Sequence, residues 1–377
     1  MKNILIVAGE ASGDNLGAQL IKELRQLRSD IQFFGLGGDK MAAEGVKLIY
    51  HIRQLAFLGF WEAVKNYRHI KNIENNLLRQ ISLLKPEMAI LIDYPGFNLR
   101  LARRLRQQGI KVFYYVSPQI WAWGANRIGK IKRDVDLMAV FFDFEKRLYE
   151  KAGIPVVWVG HPLIDEINIR LTRTEFRQKL NVADNEIVIG LFPGSRELEV
   201  KRLLPELLKA TIIMKNRYPE IRAYVAKADA LSESLYREIF LAAGVSIPFY
   251  KGDNHELMAF SRLCLVCSGT ATLECAIIGT PLLVLYKTSY ITYLIARRLI
   301  SIGQIGLVNI VAGKMIVPEL IQGECNGLKI ADNALNLIEN MGEYDRVKDE
   351  LSKIKTRLGE PGAAQKAAYA AAGLLGT

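Results

Sequence analysis

Four cysteines and four histidines among 377 residues leave little material for cross-links or a metal cage. Cys264, Cys267, Cys275 and Cys325 are too few to brace such a chain, which excludes a disulfide scaffold. Cys264-x-x-Cys267 has no second Cys pair or His pair at ligand spacing, so it reads as small apolar side chains in a buried strand. A signal-peptide core is also missing. Ile4–Ala8 is too short, and Gly9-Glu10 follows it instead of a small-residue cleavage site, so the expected location is the cytosol. Long apolar runs are scarce too. Leu263–Tyr286 holds one charge, Glu274, in twenty-four residues, but Gly269, Thr270, Thr272, Gly279 and Pro281 divide it into strand, short helix and strand. No segment is expected to span a bilayer.

What is present suits a large α/β protein. Half the residues are hydrophobic, which excludes disorder, and the length fits one large or two medium domains. Lys and Arg number 50 against 39 Asp and Glu, a net charge of +11. Residues 1–178 hold 27 basic and 18 acidic side chains (27 − 18 = +9), so the first half is expected to meet an anionic partner. Short β-branched runs alternate with amphipathic stretches, as parallel sheets covered by helices require. The strands predicted are Asn3–Ala8, Gln32–Leu36, Met88–Asp93, Lys111–Ser117, Leu137–Phe142 and Val156–Val159, then Ile187–Phe192, Arg222–Ala226, Leu263–Cys267 and Leu282–Tyr286. They predict two doubly wound Rossmann-like domains, over 1–175 and 176–342, followed by C-terminal helices over 343–377. Ligands of such sheets lie beyond the carboxyl ends of strands, and the informative motifs follow strands.

Gly9-Glu10-Ala11-Ser12-Gly13-Asp14 follows the first strand. Its helix-start amides suit an anion or a sugar hydroxyl; a plain turn capped by Ser12 or Asp14 is the competing reading. It is not G-x-G-x-x-G, and no acid ends a second strand to hold a ribose. Asp93, in Ile92-Asp93-Tyr94-Pro95-Gly96-Phe97-Asn98, ends an apolar strand. An acid there is costly to place unless it caps the next helix or takes a proton. Gln119, Trp121 and Trp123 lie in a loop whose flat apolar faces and N–H donors suit a sugar ring or acyl chain, or the core. In the second half, Pro193-Gly194-Ser195-Arg196-Glu197 and Ser268-Gly269-Thr270-Ala271-Thr272-Leu273-Glu274 describe a nucleotide-diphosphate site. Helix-start amides and the Arg196 guanidinium meet the diphosphate there, and Glu274 meets the ribose hydroxyls.

No carboxylate cluster accompanies that site. Asp134-Val135-Asp136 reads as solvated turn residues, so no metal or other cofactor is expected. His161 follows a strand and suits either phosphate binding or a hydrogen-bonded hinge. Phe57, Leu58, Phe60, Trp61 and Val64, with Lys65, Arg68, His69 and Lys71 close behind, suit an anionic membrane surface or acyl chains, and equally an ordinary core-facing helix. Arg100, Arg103, Arg104 and Arg106 scatter around one helix without a stacking motif, so no nucleic-acid partner is expected.

Taken together, the blocks Gly9–Asp14, Asp93–Asn98, Ser117–Trp123, Gly160-His161-Pro162-Leu163, Pro193-Gly194-Ser195-Arg196-Glu197-x-Glu199, Ser268–Glu274 and Val308-Asn309 resemble the lipid-A-disaccharide synthases, in that family's order, over about residues 4–312. The resemblance implies a GT-B fold whose two domains face a central cleft, with the C-terminal helices over 343–377 packing back on the first domain. It implies an inverting, metal-independent glycosyltransferase that moves 2,3-diacylglucosamine from UDP-2,3-diacylglucosamine to the 6-hydroxyl of 2,3-diacylglucosamine 1-phosphate. That enzyme would be peripheral on the inner face of the inner membrane. By resemblance, Asp93 is the base, Arg196 with Ser195 and Glu197 meets the diphosphate, and Ser268, Gly269, Thr270 and Glu274 hold UDP, joined by Asn309. Glu10, Ser12, Gly13, Asp14, Gln119 and Trp121 stand on the acceptor side. Two residues depart from the family pattern: Ala8 stands where many members have Ser, and Gly96 where some have a second Asp, leaving Asp93 as the only acid in its motif. Another UDP-sugar enzyme of that fold, an undecaprenyl-linked N-acetylglucosaminyltransferase or a UDP-N-acetylglucosamine 2-epimerase, is the alternative.

Overall fold

The computed structural model describes residues 1–54, 67–121, 127–289, 293 and 303–376. Phe57, Leu58, Phe60, Trp61 and Val64 lie outside the described residues, as does Trp123. The chain forms two compact units, Met1–Pro162 with Leu358–Thr377, and Leu163–Arg357.

The first unit runs β1 (Lys2–Ala8), α1 (Ala11–Leu27), β2 (Ile31–Gly37), α2 (Asp39–Ala43), β3 (Lys47–His51), α3 (Tyr67–Leu84), β4 (Met88–Ile92), α4 (Pro95–Gln107), β5 (Lys111–Tyr115), α5 (Ile128–Asp134), β6 (Leu137–Val140), α6 (Asp143–Lys151) and β7 (Val156–Trp158). The second runs α7 (Leu163–Glu166), α8 (Arg173–Leu180), β8 (Ile187–Phe192), α9 (Glu197–Arg217), β9 (Ile221–Val225), α10 (Glu233–Ala243), α11 (Asn254–Phe260), β10 (Leu263–Cys267), α12 (Ala271–Ile278), β11 (Leu282–Tyr286), α13 (Leu307–Ala312), β12 (Glu319–Ile321), α14 (Gly327–Glu339) and α15 (Met341–Leu358). The last helix, α16 (Ala363–Leu375), belongs to the first unit.

Every strand pairing is parallel. The first sheet has the order β3-β2-β1-β4-β5-β6-β7 and the second β12-β11-β10-β8-β9. Sheets with helices on both faces bury both faces of each strand. The central strands are accordingly unbroken apolar runs, and all five residues of both β4 and β10 are buried. The strand order reverses between β1 and β4 in one sheet and between β8 and β10 in the other, so a crevice opens at the carboxyl ends of those pairs. All four cysteines are free and buried.

Two expected boundaries move. The first falls after Pro162 instead of residue 175, because α8 packs within the second unit, where Phe176 lies against Tyr250 and Phe260 with ring centroids 5.6 and 5.0 Å away. The C-terminal region also divides. α15 stays with the second unit: the Tyr344 hydroxyl donates to Arg262 O at 3.0 Å, and Arg357 donates to Val311 O and Ala312 O. α16 alone packs on α1, through the fully buried Ala363, Ala367, Ala368 and Ala371, whose small side chains let the two helices approach closely. Lys111 Nζ and Arg28 Nη1 then satisfy the carbonyls of Leu374 and Gly376 at its C-terminal end.

Candidate active site

In the first unit, β4 ends at Ile92, and both Asp93 and Tyr94 are left-handed, with φ of +46° and +47°. α4 begins at Pro95 with Tyr94 as its N-cap, and the Tyr94 side chain makes no capping hydrogen bond. The Asp93 amide continues the sheet ladder to Tyr115 O at 2.9 Å. Its carboxyl is pushed up to about 6, first by burial and then by the charge of Glu10, against the donated Tyr94 amide. A carboxyl held there is charged at neutral pH and basic enough to accept a proton. Beyond β5, Val116 adds a third left-handed residue, with φ of +73° in a β-branched side chain. Such conformations persist only where the surroundings impose them, and they gather at functional sites.

The Gly9–Asp14 turn divides into two tasks. Glu10 is the exposed N-cap of α1, and Ser12 is exposed in the first helical turn. Gly9 lies under the Tyr94 ring, where a Cβ would come within 2.4 Å of two ring carbons. Gly13 backs onto Ala8, 3.2 Å from where its own Cβ would be. Asp14 does something else. It is buried and accepts from the amides of Gly38 at 2.6 Å, Met41 at 3.1 Å and Lys40 at 3.1 Å. It thus anchors the start of α2.

In the following loop, Gln119 is exposed and Trp121 is half-buried. Trp121 Nε1 donates to Glu145 at 3.0 Å, and its ring meets Phe144 edge-on. Glu145 is buried, and burial raises its carboxyl to about 7 against the hydrogen bonds from Trp121, Phe142 and Ser117. His161 lies against Phe141 and Phe142 at 5.2 and 5.3 Å, and burial lowers it to about 4. The imidazole is thus held neutral among aromatic rings. Asp134 and Asp136 differ from the solvated turn expected. Asp134 is buried and paired with Arg133 at 2.6 Å, while Asp136 binds Arg106 at 2.6 Å and the Val112 amide at 2.8 Å.

In the second unit, the two motifs after β8 and β10 meet around a cavity of about 460 Å³. Ser195, Arg196, Ser268, Gly269, Thr270 and Glu274 all line it. Glu197 does not; it faces a separate depression with Lys201, which it pairs with across one helical turn. The turn that carries Arg196 is built by Glu199, a residue inside the quoted motif whose task the sequence reading passed over. Its carboxylate accepts from the Ser195 amide at 3.1 Å, the Arg196 amide at 3.2 Å and the Arg196 guanidinium at 3.2 Å. Gly194 must be glycine: φ is +114°, and a Cβ would lie 2.5 Å from Glu199 Oε2.

Glu274 is largely buried, and desolvation raises its carboxyl while the neighbouring His255 opposes the rise. His255 Nδ1 lies 3.3 Å from Asp253 and Nε2 lies 3.8 Å from Glu274. A second cavity of about 840 Å³ shares Asp229, Asn254 and Glu274 with the first and adds Lys227, Arg237 and Lys251. The sequence reading missed His255, Asp229 and Asn254; their one signal was proximity in the chain to a loop after a strand. Asn309 departs from expectation. It is fully buried, its Nδ2 donates to Val317 O at 2.9 Å and Glu319 at 2.8 Å, and its Oδ1 accepts from Ile316 and Val317. Its amide is fully engaged in folding α13 onto the following loop, away from the cavity lining. Among the described residues no group of three His, Cys, Asp or Glu could hold a metal ion, and no helix is long and apolar enough to cross a membrane.

Comparison with known proteins agrees with this arrangement. A putative UDP-N-acetylglucosamine 2-epimerase from Listeria monocytogenes aligns with a TM-score of 0.63 over 97% of this chain and 94% of its own, at 14% identity. The calicheamicin glycosyltransferase aligns at 0.62 over 100% and 98%, also at 14%. At such identity the likeness establishes the fold, GT-B with two Rossmann-like units. Sequence relatives go further. The lipid-A-disaccharide synthase of Syntrophus aciditrophicus is 42% identical over 99% of this chain and 98% of its own. That of Geobacter metallireducens is 37% identical over 100% and 98%. The family model described as lipid-A-disaccharide synthetase matches residues 4–373, so the chain belongs to the lipid-A-disaccharide synthase family.

Proposed function

We propose that the protein is an inverting, metal-independent hexosyltransferase that moves 2,3-diacylglucosamine from UDP to the 6-hydroxyl of 2,3-diacylglucosamine 1-phosphate, releasing UDP. The role in lipid A disaccharide synthesis comes with family membership. The observation that carries the chemistry is the placement of complementary groups at the two switch points. One bears a half-buried acid near pKa 6, and the other bears a cavity lined by a guanidinium, helix-start amides and a second acid.

Asp93 removes the proton of the acceptor 6-hydroxyl as its oxygen attacks the anomeric carbon, and the bond to the UDP oxygen breaks. Arg196 and the amides at the start of α12 stabilise the negative charge that gathers on the departing diphosphate, a task that needs no cation from outside. Glu274 accepts from the ribose hydroxyls. A single displacement inverts the sugar, since the acceptor oxygen attacks opposite the departing UDP. Substrates with acyl chains and a first half of charge +9 support work at an anionic lipid surface, with Phe57–Lys71 as the contacting segment. Purified protein mixed with both substrates in EDTA is expected to yield UDP and the tetraacyl disaccharide 1-phosphate. Absence of product in EDTA with recovery on adding Mg²⁺ would remove metal independence, and absence of product in both would remove the reading.

A further inference from the structure

We infer that Asn98 and Tyr114 are positioning residues of this reaction, which hold the backbone of Asp93 in its left-handed conformation and thereby aim its carboxylate. The inference rests on Asp93 being the base.

Two consecutive left-handed residues without glycine are strained, so the surroundings must impose them. The imposing contacts converge on one atom. The Asp93 carbonyl oxygen accepts from Tyr114 OH at 2.7 Å and from Asn98 Nδ2 at 2.8 Å, and Asn98 Nδ2 also reaches Ile92 O at 3.1 Å. Both donors are fully buried. They approach from different elements: Tyr114 is on β5, whose register pairs it with Leu91, and Asn98 is in the first turn of α4. With the amide of Asp93 fixed to Tyr115 O at 2.9 Å, both backbone polar groups of Asp93 are tied down. An ordinary strand-to-helix turn leaves such a carbonyl to water or to a helix amide. Here two side chains reach one carbonyl, and it belongs to the residue whose carboxylate must meet the acceptor hydroxyl within hydrogen-bond reach. The Tyr114 donor also persists at every working pH, because burial and the charge of Asp93 keep the phenol protonated. A purely structural hydrogen bond would hold the fold equally well with any residue at position 93, whereas a positioning bond matters only while there is a base to position.

The test is a double-mutant comparison by single-turnover kinetics at high enzyme concentration. Tyr114→Phe removes one hydroxyl and keeps the packing; Asn98→Ala removes the second donor, with thermal melting as the check on folding. Each is expected to slow the chemical step by about 10- to 100-fold, to leave UDP affinity unchanged, and to cost nothing further in an Asp93→Asn background. The same fold-loss in that background, or a change in UDP affinity, would show a structural role and overturn the inference. Full-speed Tyr114→Phe beside a crippled Asp93→Asn would overturn the inference alone. Full-speed Asp93→Asn would remove the base itself.

Discussion

Glu199 accepts from Arg196 twice, from its amide at 3.2 Å and from its guanidinium at 3.2 Å, so one carboxylate fixes both the turn and the direction of its cation. The Arg196 side chain is 82% exposed, and an ion pair so open to water contributes little to stability. Its consequence is orientation: the guanidinium is pre-placed at the cavity edge and can exchange a weak partner for a diphosphate. Glu199→Ala is therefore expected to raise the KM for the UDP-sugar about tenfold with a smaller effect on kcat, and to cost about 1 kcal/mol of stability through the lost cap. An unchanged KM in steady-state kinetics would contradict this.

Gly9→Ala tests the contact that seats Tyr94. The added methyl would meet the ring at 2.4 Å, so either the ring or β1 must move. Overpacking of this kind costs about 1–3 kcal/mol, and because Tyr94 follows Asp93 the displacement should also slow turnover. Adding Tyr94→Ala should restore the melting temperature of Gly9→Ala. A double variant no more stable than the single one would show that the strain lies elsewhere.

The pH dependence has a defined sign. Asp93 acts only when deprotonated, so kcat/KM should rise with pH through a midpoint near 6. Glu10 raises that value by like charge, so Glu10→Gln should move the acid limb to lower pH. An unmoved limb would separate Glu10 from Asp93.

Glu145 makes a prediction about stability. Its folded carboxyl titrates at about 7 against an ordinary 4.5, so the folded state holds this proton more tightly. Its contribution is greatest below 4.5 and is lost as pH rises through 7, in total about 3 kcal/mol. Glu145→Gln cannot titrate, and the variant's melting temperature should lack that decline across pH 5–7. His161 acts in the opposite direction: lowered to about 4, it costs stability as pH falls from 6.5. Parallel melting curves for parent and Glu145→Gln across this window would contradict the assignment.

Much of the fold was legible because strands buried on both faces leave continuous apolar runs. Ile187–Phe192, Leu263–Cys267 and Leu282–Tyr286 emerge with the bounds the sequence suggests. β3 and β12 escaped because they are edge strands with partly exposed residues and no such run. Within the site, Arg196, Ser268, Thr270 and Glu274 were legible because each follows a strand and carries a group suited to a diphosphate or ribose. Asp14 and Asn309 show the limit of residue type: a buried carboxylate or amide that organises backbone amides is the same residue type a ligand site would use. Only tertiary hydrogen bonds tell the two apart. The clamp on Asp93 left no trace in the sequence, since Asn98 and Tyr114 meet it only after β4, β5 and α4 have packed.

The central claim is that Asp93 takes the acceptor proton while a separate group grips UDP. The most direct measurement is the rate of UDP release by Asp93→Asn beside its equilibrium affinity for UDP. The account predicts a loss of turnover of about 10²-fold or more with UDP affinity unchanged. Turnover equal to that of the parent protein would contradict it.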